Sequence, residues 1–195
     1  MDFTNLLNVA KSSFVDADAP KAVDENALAN WMEQTVRRMS AAGYDFDRKS
    51  LEALEQYGRG YAIAITGVVG IGKTMFFRKL NPDIIIADMN FISRWKFDDV
   101  GNFLDNHAGD EMVIDDLGTG TAKGNDWGSP YDVLMVMLNM RLRSRKRTHF
   151  TTNLTNDQLV AAYDYRAVDR IYGMAKFVTF TPRESRRMPT QFFNH

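Results

Sequence analysis

Tyr61-Ala62-Ile63-Ala64-Ile65-Thr66 runs straight into Gly67-Val68-Val69-Gly70-Ile71-Gly72-Lys73-Thr74, an apolar stretch followed by the spacing G-x-x-x-x-G-K-T. The apolar stretch reads as a buried strand, and the glycines let the backbone curl so that several N–H groups and a helix start face one point. Fixed partial charges in such a cradle favour a polyphosphate. Lys73 is placed to reach the β- and γ-phosphates of a nucleotide, and the Thr74 hydroxyl to hold Mg²⁺. A plain glycine turn between strand and helix is the competing reading. Strand, loop and helix in this order predict that residues 67–74 bind ATP with Mg²⁺.

Working outward, short apolar runs alternate with helical patterns from Tyr61 onward, the signature of a parallel sheet covered by crossover helices. The expected strands are 61–66, 83–88, 111–115, 148–152 and 176–180. Helices are expected after the phosphate loop, over 92–106 and 131–144, and including 156–162. Leu134, Met137, Leu138 and Leu142 form one apolar stripe, so the methionines there fill a core. Before the loop, Leu28, Trp31, Met32, Val36 and Met39 recur at helical spacing, and Leu51, Leu54 and Tyr57 mark a second helix. This divides the chain into a helical N-terminal extension over 1–58 and an α/β P-loop NTPase domain over 59–195. The extension either packs on the side of the main domain or serves as a docking arm.

Met112-Val113-Ile114-Asp115-Asp116-Leu117-Gly118 is an apolar strand ending in two carboxylates. Beside a phosphate loop, such a pair completes a Mg²⁺-nucleotide site: Asp115 holds the metal's shell and Asp116 activates the attacking water. A strand cap or turn is the alternative use of the same residues. Thr148-His149-Phe150-Thr151-Thr152-Asn153-Leu154-Thr155 is a strand ending in an amide. Asn153 then stands at the C-terminal edge of the sheet, where open α/β folds bind ligands, and can position the lytic water. An Asn opening the following helix would look the same.

Together these stretches resemble the AAA+ helicase-loader family of bacteria and phages (DnaC-like) and the related transposition-helper ATPases (IstB-like). The resemblance spans roughly residues 50 to 182. It is closest over Ile114-Asp115-Asp116-Leu117-Gly118 and Phe150-Thr151-Thr152-Asn153-Leu154-Thr155. It extends to Tyr165-Arg166-Ala167-Val168-Asp169-Arg170-Ile171, which is similar to the family's arginine motif. The resemblance implies an AAA+ five-stranded parallel sheet, self-association, and Arg170 or Arg166 reaching the nucleotide of a neighbouring subunit, where a guanidinium neutralises charge on the γ-phosphate. A salt bridge to Asp164 or Asp169 is the plainer role for either arginine. It also implies a replicative helicase as partner. The chain departs from the family in that only 15 residues follow Phe180, so no C-terminal helical lid is expected. There is also little room for a basic insertion after the second strand, and a zinc-bearing docking module has no cysteines to build on.

Composition narrows the remaining choices. With 195 residues and a net charge of −1, the chain has the size of one domain and no overall field that would draw nucleic acid. Contact with single-stranded DNA must come from a local patch: Arg141, Arg143, Arg145, Lys146 and Arg147, or Arg94-Trp95-Lys96, or Arg183, Arg186 and Arg187. Helix-dipole complementation, core packing of Trp95 and simple solvation are the competing uses. The N-terminus shows no basic leader and no apolar run reaches a membrane span of about 18 residues, so the protein is expected to be soluble and cytoplasmic. Gly118 to Gly128 is expected to be a mobile loop, and His107, His149 and His195 show no metal-ligand spacing. These features predict Mg²⁺-dependent ATP hydrolysis by an AAA+ protein that loads or remodels a replicative helicase. The alternatives are a weakly hydrolysing, ATP-gated adaptor for DNA or protein, and a small-molecule kinase.

Overall fold

The computed structural model describes residues 23–119, 123–126 and 129–181. Helices α1 (Glu25–Ala41) and α2 (Arg48–Gly58) precede β1 (Ile63–Thr66) and α3 (Lys73–Leu80). Strand β2 (Ile85–Asp88) turns directly into the short α4 (Met89–Ile92), followed by α5 (Phe97–Asn106) and β3 (Met112–Leu117). A hairpin of β4 (Lys123–Asp126) and β5 (Ser129–Asp132) leads to α6 (Val133–Ser144) and β6 (Thr148–Thr152). The chain finishes with α7 (Asn156–Tyr163), α8 (Tyr165–Met174) and β7 (Lys176–Thr179).

Five strands form one parallel sheet in the order β2-β3-β6-β1-β7. Both faces are covered, so the strands alternate between two apolar cores instead of between core and water. Ala62, Ala64, Met112 and Ile114 face the core built with Val100, Leu104, Leu134, Leu138 and Ile171. Ile63, Ile65 and Val113 face the other, where Phe76 and Phe77 of α3 meet Met39 of α1 and Leu54 of α2. The N-terminal helices therefore share a core with the strand that leads into the phosphate loop. Among the described residues no helix is long and apolar enough to cross a membrane.

The strands fall where the apolar runs placed them, but three local expectations need correction. The helix expected over 92–106 is two. Asp88 caps α4 at the strand's end by accepting from the Asn90 N–H at 2.8 Å, and α5 starts afresh at Phe97 with Asp98 and Asp99 in its first turn. The helix expected from 131 begins at Val133, because the Asp132 carboxylate accepts from the Met135 N–H at 2.9 Å. Within the glycine-rich stretch 118–128, expected as a loop, residues 123–126 form strand β4, with Lys123 opposite Asp132. Helix α8 had no counterpart in the periodicity. It starts where Asp164, at φ 81°, redirects the chain and caps the N–H groups of Arg166 and Ala167.

At the N-terminal edge of the sheet lies a buried polar cluster. The fully buried His149 accepts the Ile63 N–H on Nδ1 at 3.0 Å, which leaves the proton on Nε2 to donate to Glu111 Oε1 at 2.8 Å. Glu111 also accepts from the Tyr57 hydroxyl at 2.8 Å and pairs with Arg147 at 2.9 Å, while the Arg147 guanidinium sits 4.3 Å from the centre of the Tyr57 ring. Burial pushes His149 below the ordinary imidazole value, and Glu111 offsets this only in part. Burial alone would raise Glu111. The hydrogen bond from His149, with the charge of Arg147 and the hydrogen bond from Tyr57, outweighs it and holds the carboxyl below its usual range.

Because the folded His149 is harder to protonate than the unfolded one, the unfolded chain binds more protons below the unfolded value of about 6.5. The stability owed to neutral His149 is then complete above that pH and lost as pH falls through the window beneath it. Urea midpoints measured between pH 8 and pH 5 should drop below about pH 6.5 in the parent. They should lose that share of the slope in His149→Gln, and an unchanged slope would refute the assignment.

Candidate nucleotide-binding site

The phosphate loop leaves β1 and enters α3. Gly72 precedes α3 at φ 92°, a left-handed conformation that glycine adopts without strain. At Gly67 a side chain would meet the Phe180 carbonyl oxygen at 2.7 Å, so the loop can lie against the segment after β7 only with glycine there. Ile71 is buried in the core and anchors the loop, while Val68 and Val69 are exposed at its rim.

Lys73 is buried at 5 % exposure, and its Nζ donates to the carbonyls of Gly67 (2.8 Å) and Val68 (3.0 Å) and to Asn153 Oδ1. Asn153 reaches this point because β6 lies between β1 and β3, so its C-terminal end opens beside the loop. Thr74 Oγ1 donates to both oxygens of Asp115 at 2.8 and 3.0 Å. Asp116, at φ 54°, lines the same cleft of about 220 Å³ with Val69, Gly70, Lys73 and Asn153. A Thr hydroxyl and a carboxylate held together make a hard oxygen donor set of the kind Mg²⁺ takes, usually keeping several waters besides. Thr74 and Asp115 therefore fit that ion.

The strand register shifts at this point. β3 pairs evenly with β6 up to Ile114 and resumes at Leu117 opposite Thr152, so Asp115 and Asp116 form a bulge. Two β6 hydroxyls take over the freed peptide groups. Thr151 Oγ1 accepts the Asp116 N–H at 2.9 Å, and Thr152 Oγ1 donates to the Leu117 carbonyl at 2.8 Å. Just beyond, the Gly118 N–H donates to the Tyr163 hydroxyl at 2.7 Å. The sequence places Thr151 and Thr152 on a strand and within the stretch of closest resemblance, with no role for either side chain. A pair of threonines at the end of a strand facing a carboxylate pair is the signal that could have marked them.

Neither Arg166 nor Arg170 lines the cleft. Arg166 is exposed in the first turn of α8, and Arg170 places Nη1 3.2 Å from Met135 Sδ on α6, across the sheet from α3. The basic run 141–147 does not act as one patch. Arg147 belongs to the Glu111 cluster, and Arg141, only 1 % exposed, donates to Thr148 Oγ1 (2.8 Å) and to the carbonyls of His107 (3.0 Å) and Asp110 (2.6 Å). Burial pushes its pKa down, with Asp110 acting the other way. Arg143, Arg145 and Lys146 remain exposed. Trp95 packs edge-on against Phe103 at 5.5 Å and its carbonyl accepts from the Tyr131 hydroxyl, which makes it a cover over the core. Arg183, Arg186 and Arg187 lie outside the described residues.

No family model matches the chain, and no curated protein matches it. Among solved structures, AMPPCP-bound DnaA from Aquifex aeolicus is similar over 74% of this chain and 50% of that one, at 13% identity and a TM-score of 0.55. DnaI aligns at 19% identity over 88% of this chain and 89% of that one, with a TM-score of 0.46. A primosome component from Streptococcus pyogenes serotype M3 aligns at 14% identity over 88% and 87%, with a TM-score of 0.43. The likeness to DnaA is one of fold: a five-stranded parallel sheet flanked by helices.

Replacing Arg141 with Met keeps much of the length but leaves Thr148 and two carbonyls without their donor. Arg141→Met should cost about 2–4 kcal/mol in urea unfolding, the scale for stranding buried acceptors. Arg143→Ala, on the exposed side of the same helix, should stay within about 0.5 kcal/mol.

Proposed function

We propose that this chain binds ATP with Mg²⁺ and hydrolyses it, as an AAA+ protein that assembles with copies of itself and acts on a replicative DNA helicase. The convergence of Lys73, Thr74, Asp116 and Asn153 on one cleft, with Asp115 bonded to Thr74 beside it, carries this reading. The names of the fold relatives, DnaA, DnaI and a primosome component, agree with a role in DNA replication. Residues 1–58 would be a helical extension packed on the ATPase domain at 59–195.

Lys73 and the loop N–H groups bind the β- and γ-phosphates. Mg²⁺, held through Thr74 and Asp115, supplies charge neutralisation when bound. Asp116 takes a proton from water as its oxygen bonds to the γ-phosphorus and the bond to the β-phosphate oxygen breaks, releasing ADP. Asn153 orients that water. Arg170, seconded by Arg166, acts on the ATP of a neighbouring copy, which fits the placement of both outside their own cleft.

Lys73→Ala should fold but lose most ATP affinity by calorimetry, since it removes a charge-assisted contact. Asp116→Asn should bind ATP nearly as the parent does while turnover falls about 10²-fold or more. Equal loss of both properties would make Asp116 a structural ligand instead. Normal ATP binding by folded Lys73→Ala would sink the site altogether.

A trans-acting Arg170 predicts that turnover per subunit rises with protein concentration. Arg170→Ala should bind ATP but hydrolyse it poorly, because a finger acts on the transition state. Mixing Arg170→Ala with Lys73→Ala should restore activity, as some interfaces then pair an intact loop with an intact arginine. No recovery in a mixture shown to co-assemble would refute the trans role.

A further inference from the structure

We infer that Thr151 is a positioning residue for the proposed reaction, one hydroxyl that aims the metal-binding carboxylate and fixes the backbone of the catalytic one. The inference rests on the reading of the cleft as a Mg²⁺-ATP site. Thr151 is completely buried at the end of β6. Its Oγ1 accepts the Asp116 N–H at 2.9 Å and donates its proton to Asp115 Oδ1. The two bonds are mutually dependent: with a lone pair taken by the Asp116 N–H, the hydroxyl proton is directed to Asp115.

The geometry lets one hydroxyl act on both carboxylate residues at once. Thr74 also donates to Asp115, from the side of the phosphate loop, where its oxygen lone pairs would face the cation. Thr151 approaches from β6, the strand beside β3, and can keep its bond throughout. Outer hydrogen bonds of this kind fix the orientation of a ligating carboxylate, and their loss typically costs 10–100-fold in metal affinity or activity. The second bond holds the Asp116 peptide in the bulge, where φ is 54° and the ladder to β6 is interrupted. Losing it would free the residue whose carboxylate lines the cleft.

Valine copies the shape of Thr151 without its donor or acceptor, and serine keeps both without the methyl group. Thr151→Val should bind ATP without Mg²⁺ as the parent does. It should need about 10-fold more Mg²⁺ for the tight-binding mode in calorimetry, and turn over 10–100-fold more slowly. Thr151→Ser should restore both. Thr151→Cys, with only a weak donor, is measured beside them, so that the comparison stands if the valine protein does not fold, and it should follow valine. A Mg²⁺ requirement in Thr151→Val or Thr151→Cys equal to the parent's would overturn the inference, as would a Thr151→Ser protein as impaired as the valine one. If the parent itself shows no Mg²⁺-dependent ATP binding, the nucleotide reading falls, and Thr151 falls with it.

Discussion

Successive side chains of a strand point to opposite faces of the sheet. A strand that must place two adjacent carboxylates in one site, Asp115 against Thr74 and Asp116 on the cleft, therefore cannot stay regular, and the architecture of the site follows from that constraint. β3 breaks its register after Ile114, turns Asp116 into a left-handed conformation that Asp tolerates better than most residues, and resumes pairing at Leu117. A bulge strands peptide groups in a buried place, and buried peptide groups must find partners. The neighbouring strand supplies them from consecutive threonines, one from each face, so the sequence of β6 is dictated by the distortion of β3.

The rest of the fold keeps that distorted edge rigid. Both faces of the sheet are apolar, and the layers that cover them differ in kind. One is a continuous set of helices from α4 to α8, whereas the other depends on α3 together with α1 and α2. Phe76 and Phe77, completely buried and packed edge-to-face at 5.3 Å, sit at the centre of the second layer. Removing such a ring typically costs about 3–5 kcal/mol, a large fraction of a domain's net stability. Since the same helix begins at Lys73, the packing that stabilises the molecule is also what points the phosphate loop.

The parts legible in the sequence are those set by local rules. The phosphate loop could be read because its spacing is imposed by backbone geometry, and the five strands because each is a short apolar run between turn residues. Helix boundaries were less legible. The break between α4 and α5 depends on Asp88 capping at once after a strand, and the start of α8 on a positive φ at Asp164. The contacts that pattern reading could not reach are between residues far apart in the chain. His149 meets Glu111 across 38 residues and Ile63 across 86, and Thr151 meets Asp116 across 35. A lone histidine or threonine in an apolar run carries no mark of a partner that distant. Arg141 carries such a mark, since it stands seven residues after Leu134 on the apolar side of its helix, where a cation needs polar partners.

One consequence concerns how the molecule can move. His149, in β6, ties down the first residue of β1 and the residue just before β3 at one edge of the sheet, through the Ile63 N–H and Glu111. Thr151 and Thr152 tie β3 to β6 at the other. The middle of the sheet is thus clamped at both ends, and sliding one strand along another would rupture side-chain bonds at top and bottom together. Beyond these clamps the chain leaves the two strands after Leu117 and after Thr152. Those segments meet again at Gly118 and Tyr163. A plate pinned at both ends, with its two exits joined by a hydrogen bond, is the mechanical description of this sheet.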